Sequence, residues 1–466
     1  MSDLVLEARQ GDGTEGGGAR PRRGRRKAEE AGPAVDLLAE ARQRGIRYFL
    51  ISYVDLFGVM RAKLVPAEAI TAMARNGAGF AGFASWLDLT PADPDVFAVP
   101  DPKSLIQMPW KKEVGWLAAD LFLHGKPLEQ APRRVLQRVV AAAAGQGYAM
   151  KTGVECEFFL LAPDGAAVGD GADTAAKPCY DQLALMRRYE VITEICDGML
   201  ELGWLPYQND HEDGNGQFEM NWSYDDVLVT ADRHAFFKYM VRTIAEKHGL
   251  RATFMPKPFL NLTGSGCHAH VSLWKDGRNL FEDATDGLGI SRIAYQFIGG
   301  VIHSAEALCA ITNPTVNSYK RINAPVTVSG ATWSPNTVTY AGNNRTHLIR
   351  VPEGGRFEFR LADGAANPYL MPAALLAAGL DGIAAGRDPG KPLDIDMYRD
   401  GHKAPKTAKR LPLNLLDALR GLDRSKVLRA GLGDALVDSY VKLRTREWNE
   451  YSRHLTDWER TNTLDC

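Results

Sequence analysis

Apolar positions change their spacing several times along the chain, and each change marks an element. Val35, Leu37, Leu38 and Ala41 approximate one helical face, and Gly45 ends that helix. Tyr48 to Leu56 reads as a strand, Phe57-Gly58 as a turn, and Val59 to Val65 as a returning strand ended by Pro66. Residues 76–110 are rich in Gly, Pro and Asp, which predicts long loops. The polar stretch His124-Gly125-Lys126-Pro127 precedes a strong helix from Pro132 to Ala144, and a domain boundary is placed there. Beyond it, strands with unusual polar residues alternate with helices over 181–202, 226–248 and 291–311. The pattern predicts an α+β fold with a functional sheet face. It divides the chain into a tail (1–33), an N-terminal domain (34–127) and a larger second domain (128–466).

At 466 residues the chain is too long for one small core, which agrees with two closely packed domains. Its net charge of -2 gives no reason to expect nucleic acid or an anionic membrane as partner. No apolar run approaches the ~20 residues that span a bilayer. The first 33 residues hold seven glycines and a basic run from Arg20 to Lys27, with almost nothing apolar to bury. Such a segment is expected to be disordered. Ala28 to Pro33 follows its arginines where an export signal needs an apolar stretch, so a solvated tail or a basic arm remains. Six scattered cysteines with no Cys-x-x-Cys pair suggest reduced thiols in a cytoplasm.

Four segments carry candidate chemistry. In the strand Gly153 to Leu161, the two-residue period puts Glu155 and Glu157 on one face, a pair that alone reads as a solvated sheet face. Asn209 to Glu219 frames a Gly-rich turn with Glu212 and Glu219. Thr263-Gly264-Ser265-Gly266 feeds a strand with His268 and His270 on one face, followed by Ser272. Arg356 to Arg360 alternates charged and aromatic residues around Glu358. Together they supply five glutamates and one or two histidines. That donor set suits Mg²⁺ or Mn²⁺, and five converging carboxylates need such a counter-charge. Arg321, Arg345, Arg350 and Arg360 add guanidinium groups suited to carboxylate and phosphate ligands.

The order Glu-x-Glu, Asn-Gly-Gln-x-Glu, Gly-Ser-Gly-x-His-x-His, Asn-Pro-x-x-Asn-Ser-Tyr-Lys-Arg, Asn-Arg, Glu-x-Arg and Asn-Pro-Tyr resembles the glutamine synthetase family over about residues 35–460. The resemblance implies an N-terminal β-grasp domain and a catalytic domain that binds ATP, metal and glutamate on a curved antiparallel sheet flanked by helices. It implies a homo-oligomer, a stacked-ring dodecamer in which a neighbour's N-terminal domain completes each active site. It also implies two or three Mg²⁺ or Mn²⁺ ions per site and ATP as co-substrate. By the same resemblance, Glu157, Glu212 and Glu219 would hold one metal, and Glu155, His268 and Glu358 another. Arg321 and Arg360, with Gly264, would hold glutamate. Arg345 and Arg350 would face the transferred phosphoryl group, and Tyr224, His270 and Ser272, with Arg350, would contact the nucleotide. The reaction implied is ligation of an amine to the γ-carboxylate of glutamate through an acyl phosphate.

The departures from the family concentrate at its ammonium subsite. The usual Phe-Asp-Gly-Ser-Ser is replaced by Gly79 to Phe83, with Ala81 in place of the carboxylate. The flap glutamate is missing from Lys320 to Pro325, where Asn323 precedes Ala-Pro. An insert from Val328 to Asn336 follows, and Thr263 replaces the usual asparagine. This pattern resembles the family members that ligate methylamine, with ammonia as the alternative acceptor and a non-catalytic member as a third reading. Glu353, between Arg350 and Glu358, is the candidate for the group that deprotonates the amine; its other reading is a solvated turn residue. Tyr398 is read as structural rather than as an adenylylation site.

Overall fold

The computed structural model describes residues 35–466 apart from Val326 and Ala331, so the basic stretch read over residues 1–33 lies outside the described residues. Asp36–Cys466 forms one compact unit. Helix α1 (Leu37–Arg44) starts at Asp36, whose carboxylate accepts from the amides of Leu38 and Ala39. It ends at Gly45, which adopts φ 70°.

The first sheet contains β1 (Tyr48–Val54), β2 (Met60–Pro66), β3 (Ala78–Phe80), β4 (Val96–Pro100), β5 (Ile106–Gln107), β6 (Val114–Leu123) and β7 (Lys126–Pro127). Their order is β2-β1-β6-β4-β3, with β5 and β7 also against β6; β1 and β6 are parallel and the other pairs antiparallel. Residues 76–110 are therefore not only loop. Val96 and Ala98 are fully buried, and β4 is the partner of both β3 and β6. Strands this short leave too few alternating positions to stand out among flanking glycines and prolines.

Helix α2 (Ile70–Asn76) belongs to this first part, and α3 (Pro132–Ala144) follows the sheet. The second sheet contains β8 (Ala149–Leu161), β9 (Pro206–His211), β10 (Gln217–Trp222), β11 (Asp225–Asp226), β12 (Arg251–Thr253), β13 (Cys267–Lys275), β14 (Arg278–Asn279), β15 (Tyr340–Ala341), β16 (Ile349–Arg350) and β17 (Phe357–Phe359). Its main path is β15-β16-β17-β13-β8-β10-β9. The expected helix over 181–202 is two helices, α4 (Gln182–Arg187) and α5 (Tyr189–Glu201), broken at Arg188 with φ -112° and ψ 17°. Helices α6 (Val227–Lys247) and α7 (Arg292–Thr312) match the other two expected spans. Phe158 on β8 and Phe218 on β10 pack with Phe237 of α6 in the larger core, while Phe49, Ile51 and Leu117 belong to a separate one in the first sheet. The architecture is α+β, and no described helix is long and apolar enough to cross a membrane.

Arg133, in the first turn of α3, ties the two parts together. Its guanidinium is buried and reaches Asp101 at 2.7 Å, Asp120 on β6 at 2.8 Å and Asp232 on α6 at 2.9 Å. Tyr369 donates a further hydrogen bond to Asp232 at 2.8 Å. One cation thus offsets three carboxylates, and the nearly buried Asp232 has no other cation within ion-pair distance among the described residues. Replacing Arg133 by Met is expected to cost roughly 3–5 kcal/mol, because it strands Asp232 as an uncompensated charge. Denaturant unfolding measures this; a loss under about 1 kcal/mol would show that the junction does not depend on the network.

Candidate active site

The register of the second sheet assembles the candidate site. Asp210 on β9 faces Glu219 on β10, and Glu219 faces Glu157 on β8. Two residues away on β8, Glu155 faces His268 on β13. Further across, His270 on β13 faces Glu358 on β17, which faces Arg350 on β16. Because side chains alternate along a strand, these pairings bring the charged groups to one face.

Distances make a tight cluster. His268 Nδ1 lies 3.2 Å from Glu155 Oε2 and 3.6 Å from Glu358 Oε1, and His268 Nε2 lies 3.8 Å from Glu157 Oε1. Two groups, Glu155-His268-Glu358 and Glu157-Glu219-His268, each offer donor atoms within 4.8 Å of one another. Glu212 lines the same pocket, of about 110 Å³, with Arg345, Arg350 and Arg360. Arg350 Nη1 donates to Glu358 at 2.8 Å, and Arg360 also donates to Glu358.

A layer of uncharged donors fixes the carboxylates. Glu157 accepts from Gln217 Nε2 at 3.0 Å and from the Gly266 amide at 2.8 Å. Asn221 donates to Glu219 at 2.9 Å. Fully buried His211 contacts the Glu212 carbonyl at 2.7 Å and Asp173 at 2.6 Å. Glycine is required at two points of the turn before β13. A Cβ on Gly266 would sit 2.8 Å from His268 Nε2 and 2.9 Å from Glu157 Oε1, and one on Gly264 would sit 2.5 Å from the Pro256 carbonyl.

Burial and mutual repulsion dominate the electrostatics. Burial pushes Glu219 well above the usual carboxylate range, and Glu155, Glu212 and Glu157 push it further. Glu212 is raised by burial, then by Glu157 and Asp210. Asp210 is pushed up to about 6 by burial and by Glu157 and Glu155. Burial also acts against Glu155, but hydrogen bonds from His268 and His270 hold it well below that range. His268 Nε2 is buried without a hydrogen-bond partner among the described residues, between carboxylates. An imidazole nitrogen left open beside acidic oxygens, several of which resist ionising, fits a divalent cation.

The other expected residues divide. Tyr224, His270 and Ser272 line a second cavity of about 340 Å³, next to the first and sharing Glu155 with it. Arg321 is buried, donates to the Leu361 carbonyl at 2.9 Å and leaves Nε without a partner. Its Nη2 would lie 3.0 Å from a Cβ on Gly266, which puts it beside the glycine turn. Glu353 does not join the carboxylate pocket. Its side chain is 68% exposed, pairs with Arg356 at 3.0 Å and lines the Tyr224 cavity. Nor do Phe80, Phe83 and Trp86 line the carboxylate pocket of their own chain. Asn323 turns to the carbonyls of Tyr319 and Leu413, whereas Trp333 lines the pocket. Sequence reasoning missed Cys179, Tyr180, Gln208 and Asp210, all of which line it. For Gln208 and Asp210 the signal was present, since both share the strand period of Glu212.

Comparison with known proteins agrees with this geometry. Residues 129–463 match the family described as "Glutamine synthetase, catalytic domain". A protein of Rhizobium leguminosarum bv. phaseoli named glutamine synthetase is 65% identical over 92% of this chain and 99% of its own. A glutamate–methylamine ligase of Methyloversatilis universalis is 41% identical over 91% of this chain and 97% of its own. A solved structure described as a GmaS/ADP complex superposes with a TM-score of 0.89 at 64% identity, over 92% of this chain and all of that one. The chain belongs to the glutamine synthetase family. It is an enzyme of that family, which uses ATP and divalent metal.

A pH dependence follows from the raised carboxyls. In the metal-free folded state, Asp210, Glu212 and Glu219 keep protons that the unfolded chain releases near pH 4. Their stabilising contribution is complete below that point and is lost as pH rises through the raised values, about 6 for Asp210. Mg²⁺ or Mn²⁺ is therefore expected to raise Tm more at about pH 8 than at about pH 5.5, and to release protons in weak buffer. Calorimetry with two buffers measures both, and an equal Tm shift at the two pH values would contradict the assignment.

Proposed function

We propose that the chain ligates methylamine to the γ-carboxylate of L-glutamate, with ATP converted to ADP and phosphate. The observation that carries this reading is the make-up of the carboxylate pocket. Trp333 lines it, Asn323 is turned away from it, and the family's two ammonium-binding carboxylates are absent. The 64% identity to GmaS supports the same reading.

Arg321 and Arg360, beside Gly264, bind and orient glutamate so that its γ-oxygen points at the terminal phosphorus of ATP. Tyr224, His270 and Ser272 bind the nucleotide. The residues that would hold divalent ions are Glu157, Glu212 and Glu219 on one side and Glu155, His268 and Glu358 on the other. Two or three Mg²⁺ or Mn²⁺ ions, when bound, supply the positive charge that neutralises the phosphates and the acidic cluster. Arg345 and Arg350 stabilise the transferred phosphoryl group. The γ-oxygen attacks phosphorus, ADP leaves, and the acyl phosphate forms. The amine nitrogen then attacks the acyl carbon, and phosphate departs. We prefer Asp210 to Glu353 as the group that takes the amine's proton, because it lines the pocket and its Oδ1 is buried without a partner among the described residues.

Replacing Glu157 or Glu358 by Ala is expected to lower turnover on the order of 100-fold or more while assembly is kept. Near-normal activity in both variants would remove the metal assignment. For the acceptor, kcat/KM is compared for methylamine and ammonia at saturating glutamate and ATP. Burying a methyl group beside Trp333 contributes roughly 0.8 kcal/mol, a few-fold, and weak ammonia binding supplies the rest. A ratio favouring ammonia would support the second reading, glutamine synthesis. The specific observation for that reading is the 65% identical relative named glutamine synthetase.

We further propose a stacked-ring homo-oligomer, a dodecamer, in which the 34–127 domain of one chain completes the neighbour's site. Phe83 and Trp86 are 49% and 41% exposed and do not reach the pocket of their own chain, which supports contact with another. Sedimentation coupled to activity should find turnover only in the assembled species. A fully active monomer would rule this out.

A further inference from the structure

Two departures from the family pattern, distant in sequence, meet at one carboxylate. Asp213 follows Glu212 on the turn between β9 and β10 and is only 7% exposed. Its Oδ2 accepts from Thr263 Oγ1 at 2.9 Å, from Trp333 Nε1 at 2.9 Å and from Ser329 Oγ. Thr263 stands where the family usually has asparagine, and Ser329 and Trp333 belong to the insert that follows the shortened flap. Asp213 does not line the carboxylate pocket, but Trp333 and Thr263 both do.

Trp333 is held in an uncommon conformation. Its φ of 51° lies in the left-handed region, where a bulky side chain is disfavoured. A residue stays there only when its surroundings fix it, and the indole N–H bond to Asp213 is one contact that holds it. A buried carboxylate that accepts three donors binds them more firmly than a neutral group of the same shape, since charge-assisted bonds are the stronger ones.

We propose that Asp213 is a positioning residue for the acceptor, latching the insert so that Trp333 forms one wall of the subsite for a small alkylamine. The proposal rests on the acceptor reading given above. The latch has taken over a task that a flap carboxylate performs directly in ammonia-using relatives. The carboxylate here stands behind the wall and sets its place, so the pocket side of that wall is aromatic.

The test is steady-state kinetics of Asp213→Asn and Trp333→Phe, singly and combined, in the full-length enzyme, with methylamine, glutamate and ATP varied in turn. The latch predicts that Asp213→Asn raises KM for methylamine about tenfold and keeps KM for glutamate and ATP within about twofold. The double variant should be no worse than the poorer single one, because both substitutions break the same bond. A parallel rise in all three KM values, a fall in kcat alone, or no change would overturn the proposal and leave Asp213 as support for Glu212. Effects that multiply in the double variant would overturn it as well. If Asp213→Asn does not fold, Trp333→Phe must show the same split, since it removes the N–H donor, with part of the ring, and keeps an aromatic face. If the wild-type enzyme prefers ammonium, the acceptor reading falls, and the same split measured on KM for ammonium decides the latch separately.

Discussion

Repulsion among acidic side chains is the constraint on which the rest of this structure depends. Glu155, Glu157, Glu212, Glu219, Glu358 and Asp210 all line one small pocket, and Glu157, Glu219 and Glu358 are buried there. Carboxylates in such surroundings either keep their protons or acquire counter-charges. Both responses are visible. Glu212, Glu219 and Asp210 are raised, while the pairing of Glu155 with two histidines, and the charges of Arg360 and His268 beside Glu358, hold those two down. The division leaves Glu155 and Glu358 favouring the ionised form, while Glu212, Glu219 and Asp210 favour the protonated form until a cation arrives.

Holding repelling groups at fixed separations requires a stiff support, and the sheet register supplies it. Glu157, Glu219 and Asp210 are successive partners across three strands, so none can shift without displacing the others. Behind them, Gln217 and the Gly266 amide hold Glu157, Asn221 holds Glu219, and the His211–Asp173 pair fixes the turn that carries Glu212. Each of these donors is neutral or self-paired. They orient the carboxylates without removing the charge that a metal needs.

Periodicity made part of this readable in the sequence. Glu155 with Glu157 and His268 with His270 declare a shared face through the alternation of a strand, and the α+β class follows from where that alternation gives way to helices. Chain proximity was a poorer guide. Glu353 lies five residues before Glu358, yet the turn through Gly354 and Gly355 sends it to the cavity that holds Tyr224. The strands within 76–110 were hidden because two to five residues cannot display a period. The Arg133 junction and the Asp213 cluster were unreadable for another reason. Asp232 lies 99 residues from Arg133, and Trp333 lies 120 from Asp213, so only the folded chain places them together.

These two kinds of position explain where the family can change its chemistry. Five of the candidate metal ligands, Glu155, Glu157, Glu219, His268 and Glu358, sit on paired strands, where a change in one alters the spacing of several charges at once. The acceptor wall sits on an insert attached through a few hydrogen bonds, two of them to Asp213. Changing that wall leaves the strand register untouched, whereas removing Glu157 would break contacts to Gln217, Gly266 and His268 together. Acyl phosphate formation can therefore stay constant while the amine varies. The amine is selected after that activation, by the polarity and shape of one aromatic wall and by a nearby carboxylate free to accept a proton. The buried Asp213 thus puts a negative charge behind the aromatic wall and leaves the face of that wall to Trp333.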